Sequence, residues 1–141
     1  YQIVLIGLTK RQIKELPETV KGIGHTGNVQ ELAELYSSAH IFINPSVEES
    51  FSLVTVEAIA CGTPVMVLDT SAVKELVCED NGIVLGSHKP SDYIEGIESM
   101  KLERKRVRIT AEKYDVRQFA EKMVQLYQTG CHGSSSAGRE T

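Results

Sequence analysis

Residues Asn44 to Val77 read NPSVEESFSLVTVEAIACGTPVMVLDTSAVKELV. Leu53 to Cys61 is predicted as a helix. Gly62 and Pro64 are its stop, because glycine accepts the left-handed C-terminal conformation and proline cannot continue the helix. Ile41 to Ile43 before the block and Val65 to Leu68 within it are short, unbroken apolar runs, the pattern of strands buried on both faces of a parallel sheet. Glu49 and Glu57, separated by seven residues, flank the start of the helix where the first strand ends. Open α/β sheets bind their ligands at such a point.

Outward from this block the same alternation continues. Ile3 to Ile6 is an apolar run ended by Gly7 and is predicted as another strand buried on both faces. Thr9 can cap a short helix carrying Ile13 and Leu16, which Pro17 ends, and Val20 to Ile23 follows as a strand. Val29, Leu32, Ala33 and Tyr36 recur at helical spacing behind Asn28 as N-cap. Ser71 is expected to cap a brief helix through Val77, and Asn81-Gly82 turns the chain into a strand at Ile83 to Leu85. Pro90 and Ser91 start a helix to about Met100. Val116, Phe119, Ala120, Met123, Val124 and Tyr127 give the last helix an apolar face. Strands alternating with helices predict an α/β fold, a Rossmann-like, doubly wound parallel sheet with helices on both faces.

The chain has 141 residues, 41% hydrophobic and 24% charged, which suits one globular domain with an adequate core. A net charge of -4 and the absence of Trp argue against a nucleic-acid surface. The one basic cluster, KLERKRVR at Lys101 to Arg108, reads as a solvated helix face. Three cysteines without a CxxC pair suggest neither a disulfide framework nor a zinc site, and a cytoplasmic location is expected. Ala58 to Leu68 is the longest charge-free run of the central block, eleven residues interrupted by Gly62 and Pro64. A membrane-spanning helix needs about twenty apolar residues, so no transmembrane segment is expected. No basic n-region or initiator Met precedes the first strand, which suggests a fragment or processed product. After Thr129 the pattern gives way to GCHGSSSAGRET, read as a disordered tail, native or left by cloning. Residues 1–128 are therefore taken as the domain and 129–141 as the tail.

Phe51, Ser52 and Leu53 are expected in the first helical turn, where free backbone N–H groups and the helix dipole favour a phosphate or diphosphate. Glu49 and Glu57 could accept hydrogen bonds from a polyhydroxylated ligand. Acidic residues near a helix N-terminus also have a plain electrostatic reason, worth about 0.3 to 1 kcal/mol each. Asn44, at the strand end, is a candidate supporting residue. His25, in the loop GIGHTGN, could line a nucleotide pocket or simply be exposed. Cys61 beside Gly62 reads as a small buried residue, with nothing nearby to activate a thiolate.

The segment PSVEESFSLVTVEAIACGTPV, Pro45 to Val65, resembles the Glu-x7-Glu motif PSxxEGFGLxxxEAxAxGxPV of the group 1, family 4 retaining glycosyltransferases of GT-B fold. IVLIG at Ile3 to Gly7, ELAELYSSAHIFINPS at Glu31 to Ser46, KELV at Lys74 to Val77 and NGIVL at Asn81 to Leu85 agree with it, so the resemblance extends from Tyr1 to Gln128. It implies the C-terminal, donor nucleotide-sugar-binding half of such an enzyme. The catalytic candidate is Glu49, beside the donor sugar, and Glu57 would bind the ribose hydroxyls. Backbone amides over Ser50, Phe51, Ser52 and Leu53 would hold sugar and diphosphate. The implied partner is a UDP- or GDP-linked sugar, commonly without a metal, and no cofactor is expected. The acceptor would be a glycan, a lipid or a small molecule.

Two departures from the pattern matter. The family's EGFG stands here as ESFS, with Ser50 and Ser52 in place of glycines, which leaves a non-catalytic sugar-nucleotide-binding module as the alternative. The family's diphosphate-clamping Arg and Lys lie upstream of the strand at Ile3 to Ile6, so Lys10 and Arg11 are not their equivalents. The resemblance implies an N-terminal acceptor domain in the parent that this sequence does not contain, and the fragment alone is expected to be inactive. Peripheral membrane association of the parent is left open. The last helix resembles the one that crosses back to that domain, so its apolar face is expected to be partly orphaned. Two other classes fit less well: a response-regulator-like domain would need acidic residues where Gly7 and Asn44 stand, and a dinucleotide-binding dehydrogenase would need GxGxxG where Gly7-Leu8-Thr9 stands.

Overall fold

The computed structural model describes residues 1–70 and 72–131. The strands are β1 (Ile3–Leu5), β2 (Val20–Gly22), β3 (Phe42–Asn44), β4 (Val65–Leu68) and β5 (Gly82–Leu85). The helices are α1 (Lys10–Glu15), α2 (Val29–Ser38), α3 (Leu53–Ala60), α4 (Pro90–Ser99), α5 (Arg104–Ile109) and α6 (Val116–Cys131). Two 3-10 turns, Ala72–Leu76 and Glu112–Tyr114, complete the chain. Every ladder is parallel, with β1 beside β2 in one sheet and the order β3-β4-β5 in the other.

The residues explain the elements. Thr9 and Gln12 form a reciprocal capping box on α1, and the Asn28 side chain accepts the Glu31 amide to start α2. Between β3 and β5, every residue of β4 is buried. Its side chains alternate between two packed faces, as strand geometry requires. Val65 joins Tyr36, Ala58, Ile59 and Val107, the layer contributed by α2, α3 and α5, and Val67 packs with Val73 and Leu76. Met66 and Leu68 turn the other way, into a cluster with Leu85 and the α4 residues Tyr93 and Ile97. Helices thus cover both faces of the β3-β4-β5 sheet. The close approach of β5 to β4 requires Gly82, where a Cβ would lie 2.1 Å from the Val65 carbonyl oxygen.

Four sequence expectations need correction. The first strand forms but is not buried on both faces: Ile3 is 56% exposed, and Val4, Leu5 and Ile6 are exposed as well. Its ladder partner is β2 alone, and α1 contributes no buried residue to cover it. The basic cluster is not simply a solvated helix face. Only Arg104 to Arg108 of it is helical, Val107 is fully buried, and Arg104 turns back onto α2. The last helix runs past Thr129 through Gly130 to Cys131. One glycine in a helix costs only about 1 kcal/mol, and the Thr129 hydroxyl bonds the carbonyls of Gln125 and Leu126. The segment ending at Val77 is a 3-10 turn rather than an α-helix, and its expected cap, Ser71, lies outside the described residues, as does the tail over 132–141.

The apolar face of α6 is open in this chain: Val116, Phe119, Val124, Leu126 and Tyr127 are all exposed. No helix among the described residues is long and apolar enough to cross a membrane.

Candidate functional site

Strand β3 ends at Asn44, and the loop Pro45 to Ser52 returns the chain into α3. Asn44 is buried, and both ends of its side-chain amide are hydrogen-bonded. Its amide nitrogen donates to the hydroxyl oxygens of Ser52 (2.9 Å) and Thr55 (3.2 Å), and its carbonyl oxygen accepts the Ser46 backbone N–H (3.0 Å). The Ser52 and Thr55 hydroxyls are 2.8 Å apart and hydrogen-bonded to each other. Both are buried. A buried carboxamide and two buried hydroxyls would each be a destabilising orphan alone; here each has at least one partner in the set.

Ser52 is the N-cap of α3, but it does not cap in the ordinary way. Its backbone is left-handed, φ 60° and ψ 77°, and its side chain makes no capping bond to the helix. It is the one non-glycine residue with positive φ among the described residues. That conformation costs an ordinary residue about 1 to 2 kcal/mol. The helix itself begins at Leu53, so Phe51 precedes the first turn that was expected to contain it. The Thr55 and Val56 amides return to the Ser52 carbonyl, whereas those of Leu53 and Val54 have no backbone acceptor among the described residues. Two N–H groups at the positive end of a helix therefore remain for an anion.

Glu57 lies one turn inside α3 with its side chain at the surface. Its Oε2 accepts the hydroxyl of buried Tyr36, on α2, at 3.1 Å. Burial, followed by the charge of Glu57, pushes the Tyr36 phenol well above its usual range. The phenol therefore stays protonated and donates, while the second oxygen of Glu57 makes no hydrogen bond among the described residues. Glu49 is half-buried in the loop and Ser50 is exposed, and neither side chain has a hydrogen-bond partner among the described residues. The rings of Phe51 and Tyr114 meet edge to face at 5.8 Å, which ties the loop to the turn before α6. Leu53 is 68% exposed, and His25 is exposed in the loop after β2.

The structure thus joins Asn44 to Ser52 and brings Thr55 with them. Glu49, Ser50, Leu53 and His25 are not linked to these residues by any described hydrogen bond. Sequence reasoning missed Thr55 and Tyr36. Thr55 falls three residues after Ser52, a spacing that puts two hydroxyls on one side of a helix start; Tyr36 gives no signal, since its spacing in α2 is that of a core residue. Arg11 is paired with Glu15 on the exposed surface of α1. Cys61, the C-cap of α3, is half-buried.

The fold is that of a parallel α/β domain, and comparison with known proteins specifies the class. The family model "Glycosyl transferases group 1" matches residues 1–103, and the chain belongs to that family of GT-B glycosyltransferases. It is 38% identical over 71 residues to the D-inositol 3-phosphate glycosyltransferase of Paenarthrobacter aurescens, an alignment covering 50% of this chain and 17% of that protein. This chain therefore matches less than a fifth of that relative's length. Sucrose-phosphate synthase from Thermosynechococcus elongatus superposes with a TM-score of 0.72 at 24% identity, over 94% of this chain and 39% of the synthase. HepE from Anabaena, solved in complex with UDP, gives 0.70 at 21% identity, over 89% of this chain and 40% of HepE. These two likenesses define the fold.

Proposed function

We propose that residues 1–128 form the donor-binding domain of a retaining glycosyltransferase, which takes a sugar from a UDP- or GDP-linked donor. The observation that carries this reading is the pair of amides at Leu53 and Val54, without an acceptor among the described residues, at the start of the helix that Glu49 precedes and that contains Glu57. Helix N-termini of this kind hold phosphate through backbone N–H groups. In this reading the diphosphate sits on those amides and on the backbone of Ser50 to Leu53. Glu57 accepts the ribose hydroxyls through the oxygen that Tyr36 does not use, and Glu49 faces the donor sugar as the catalytic carboxylate. Asn44 supports the loop, and His25 borders the nucleotide. The HepE complex with UDP supports a uridine nucleotide, since part of that protein shares this fold. D-inositol 3-phosphate glycosyltransferases among the relatives support sugar transfer in the parent protein.

Developing negative charge on a departing nucleotide diphosphate is best met by preorganised donors. The amides supply part of that here. In enzymes of the resembled kind the cationic clamp and the acceptor site are supplied by other segments, so residues 1–128 by themselves should bind without turnover. We place the parent in the cytoplasm, where nucleotide sugars are the activated donors. A second reading, a sugar-nucleotide-binding module without transfer, is favoured by serine at positions 50 and 52 where the motif carries glycine.

Calorimetry with UDP and GDP tests the binding reading. UDP or GDP should bind weakly, and Glu57→Ala should weaken the interaction further. Absence of heat with every nucleotide diphosphate tried would overturn it. Release of free sugar from the donor by the full-length parent would then separate transferase from binding module.

A further inference from the structure

We infer that Asn44 and Thr55 are positioning residues that hold Ser52 in its left-handed conformation and thereby aim the free amides of α3. The inference rests on the donor-site reading above for its consequence in binding, but its structural part stands apart from any ligand. Position 52 is left-handed where the loop from β3 enters α3, and the Leu53 and Val54 amides that follow it have no acceptor among the described residues. Glycine adopts that conformation freely, whereas serine does so only when something else favours it. Here the Ser52 hydroxyl is removed from solvent and bonded on two sides, by the Asn44 amide and the Thr55 hydroxyl. Any relaxation of residue 52 toward an extended backbone would swing that hydroxyl away, breaking its bonds to Asn44 and Thr55 and leaving each of those buried groups with one partner fewer. The network thus performs the task a glycine would perform through its lack of a side chain. It gives residue 52 one geometry rather than many, so the anion-facing amides are preorganised.

The test is a set of substitutions made in the full chain in two backgrounds, natural and Ser52→Gly. Thr55→Val keeps the shape of a fully buried side chain and removes only the hydroxyl. Asn44→Ala removes the carboxamide. UDP affinity is measured by calorimetry, and the backbone conformation of residue 52 is read from NMR chemical shifts without nucleotide. In the natural background Asn44→Ala should weaken UDP binding by about tenfold and Thr55→Val by about fivefold, with loss of the left-handed signature at residue 52. In the Ser52→Gly background the same substitutions should weaken binding by much less, because glycine keeps the turn unaided. Equal losses in both backgrounds, or a left-handed Ser52 that survives Asn44→Ala, would overturn the inference. If residue 52 responds as expected but the natural chain binds no UDP, the positioning network stands and the donor-site reading fails.

Discussion

The Tyr36 hydroxyl donates to Glu57 Oε2 across 3.1 Å, and so joins a buried residue of α2 to a surface carboxylate of α3. The bond fixes one oxygen of Glu57 and leaves the other facing outward. It also makes a titratable phenol part of the contact between two helices.

That titration has a definite sign. The folded-state pKa of Tyr36 is raised above its ordinary value of 10.0, by burial first and by the Glu57 charge second. A raised pKa contributes stability that is complete below the unfolded value and is lost as pH rises from there toward the folded value. Urea unfolding of the natural chain and of Tyr36→Phe should therefore differ by about 1 kcal/mol at neutral pH. The gap should narrow above about pH 10. A gap that stays constant from pH 8 to pH 11 would contradict the linkage.

Arg104 holds the C-terminal end of α2. Its guanidinium donates to the Ser37 carbonyl (2.7 Å), the Ala39 carbonyl (2.9 Å) and the Thr63 hydroxyl (2.9 Å). Helix ends leave carbonyls without partners, and a planar fork can serve several at once. Arg104→Ala should lower stability by about 1 to 2 kcal/mol. Arg104→Lys should recover less than half of that, since an ammonium cannot reproduce the fork. Denaturant midpoints of the three proteins measure this, and full recovery by lysine would show that charge alone matters.

Gly62 illustrates a stricter demand. Its φ is +77°, and a Cβ there would lie 2.8 Å from the Arg104 carbonyl oxygen. Both the conformation and the space exclude a side chain. Gly62→Ala should destabilise the domain by about 2 kcal/mol or more. A thermal melt unchanged from the natural chain would show that the turn can rearrange.

Ile59 is fully buried between β4 and the helices of its layer. Ile59→Ala should lower stability by about 2 to 5 kcal/mol through lost burial and the cavity left behind. Unfolding in urea reads it directly. A smaller loss would mean that the α2-α3-α5 layer collapses into the space.

Local signals carried most of the fold. Thr9 and Asn28 announce their helices because a cap bonds within three residues of itself, and Gly62 with Pro64 marks the end of α3 for equally local reasons. Burial of β1 was not legible, because an apolar run states a preference for cover and not whether cover is present. Arg104 looked like one charge in a basic run; its acceptors lie far back in the sequence, where no periodicity points to them. Ser52 reads as a first-turn residue standing where the motif has glycine. Its left-handed backbone depends on Asn44, eight residues upstream across a turn, and such a dependence appears only in three dimensions.

The bonds from Arg104 to Ser37 and Ala39 span 67 and 65 residues. During synthesis, α2 must therefore wait, its last carbonyls hydrated, while more than sixty further residues are made. Val107, the buried contribution of α5 to the same layer, arrives at the same late moment. A ribosome-bound chain that stops before residue 104 would hold the Glu49 to Glu57 motif on an unfinished support. Completion of the α2-α3-α5 layer thus waits for the residues at positions 104 and 107.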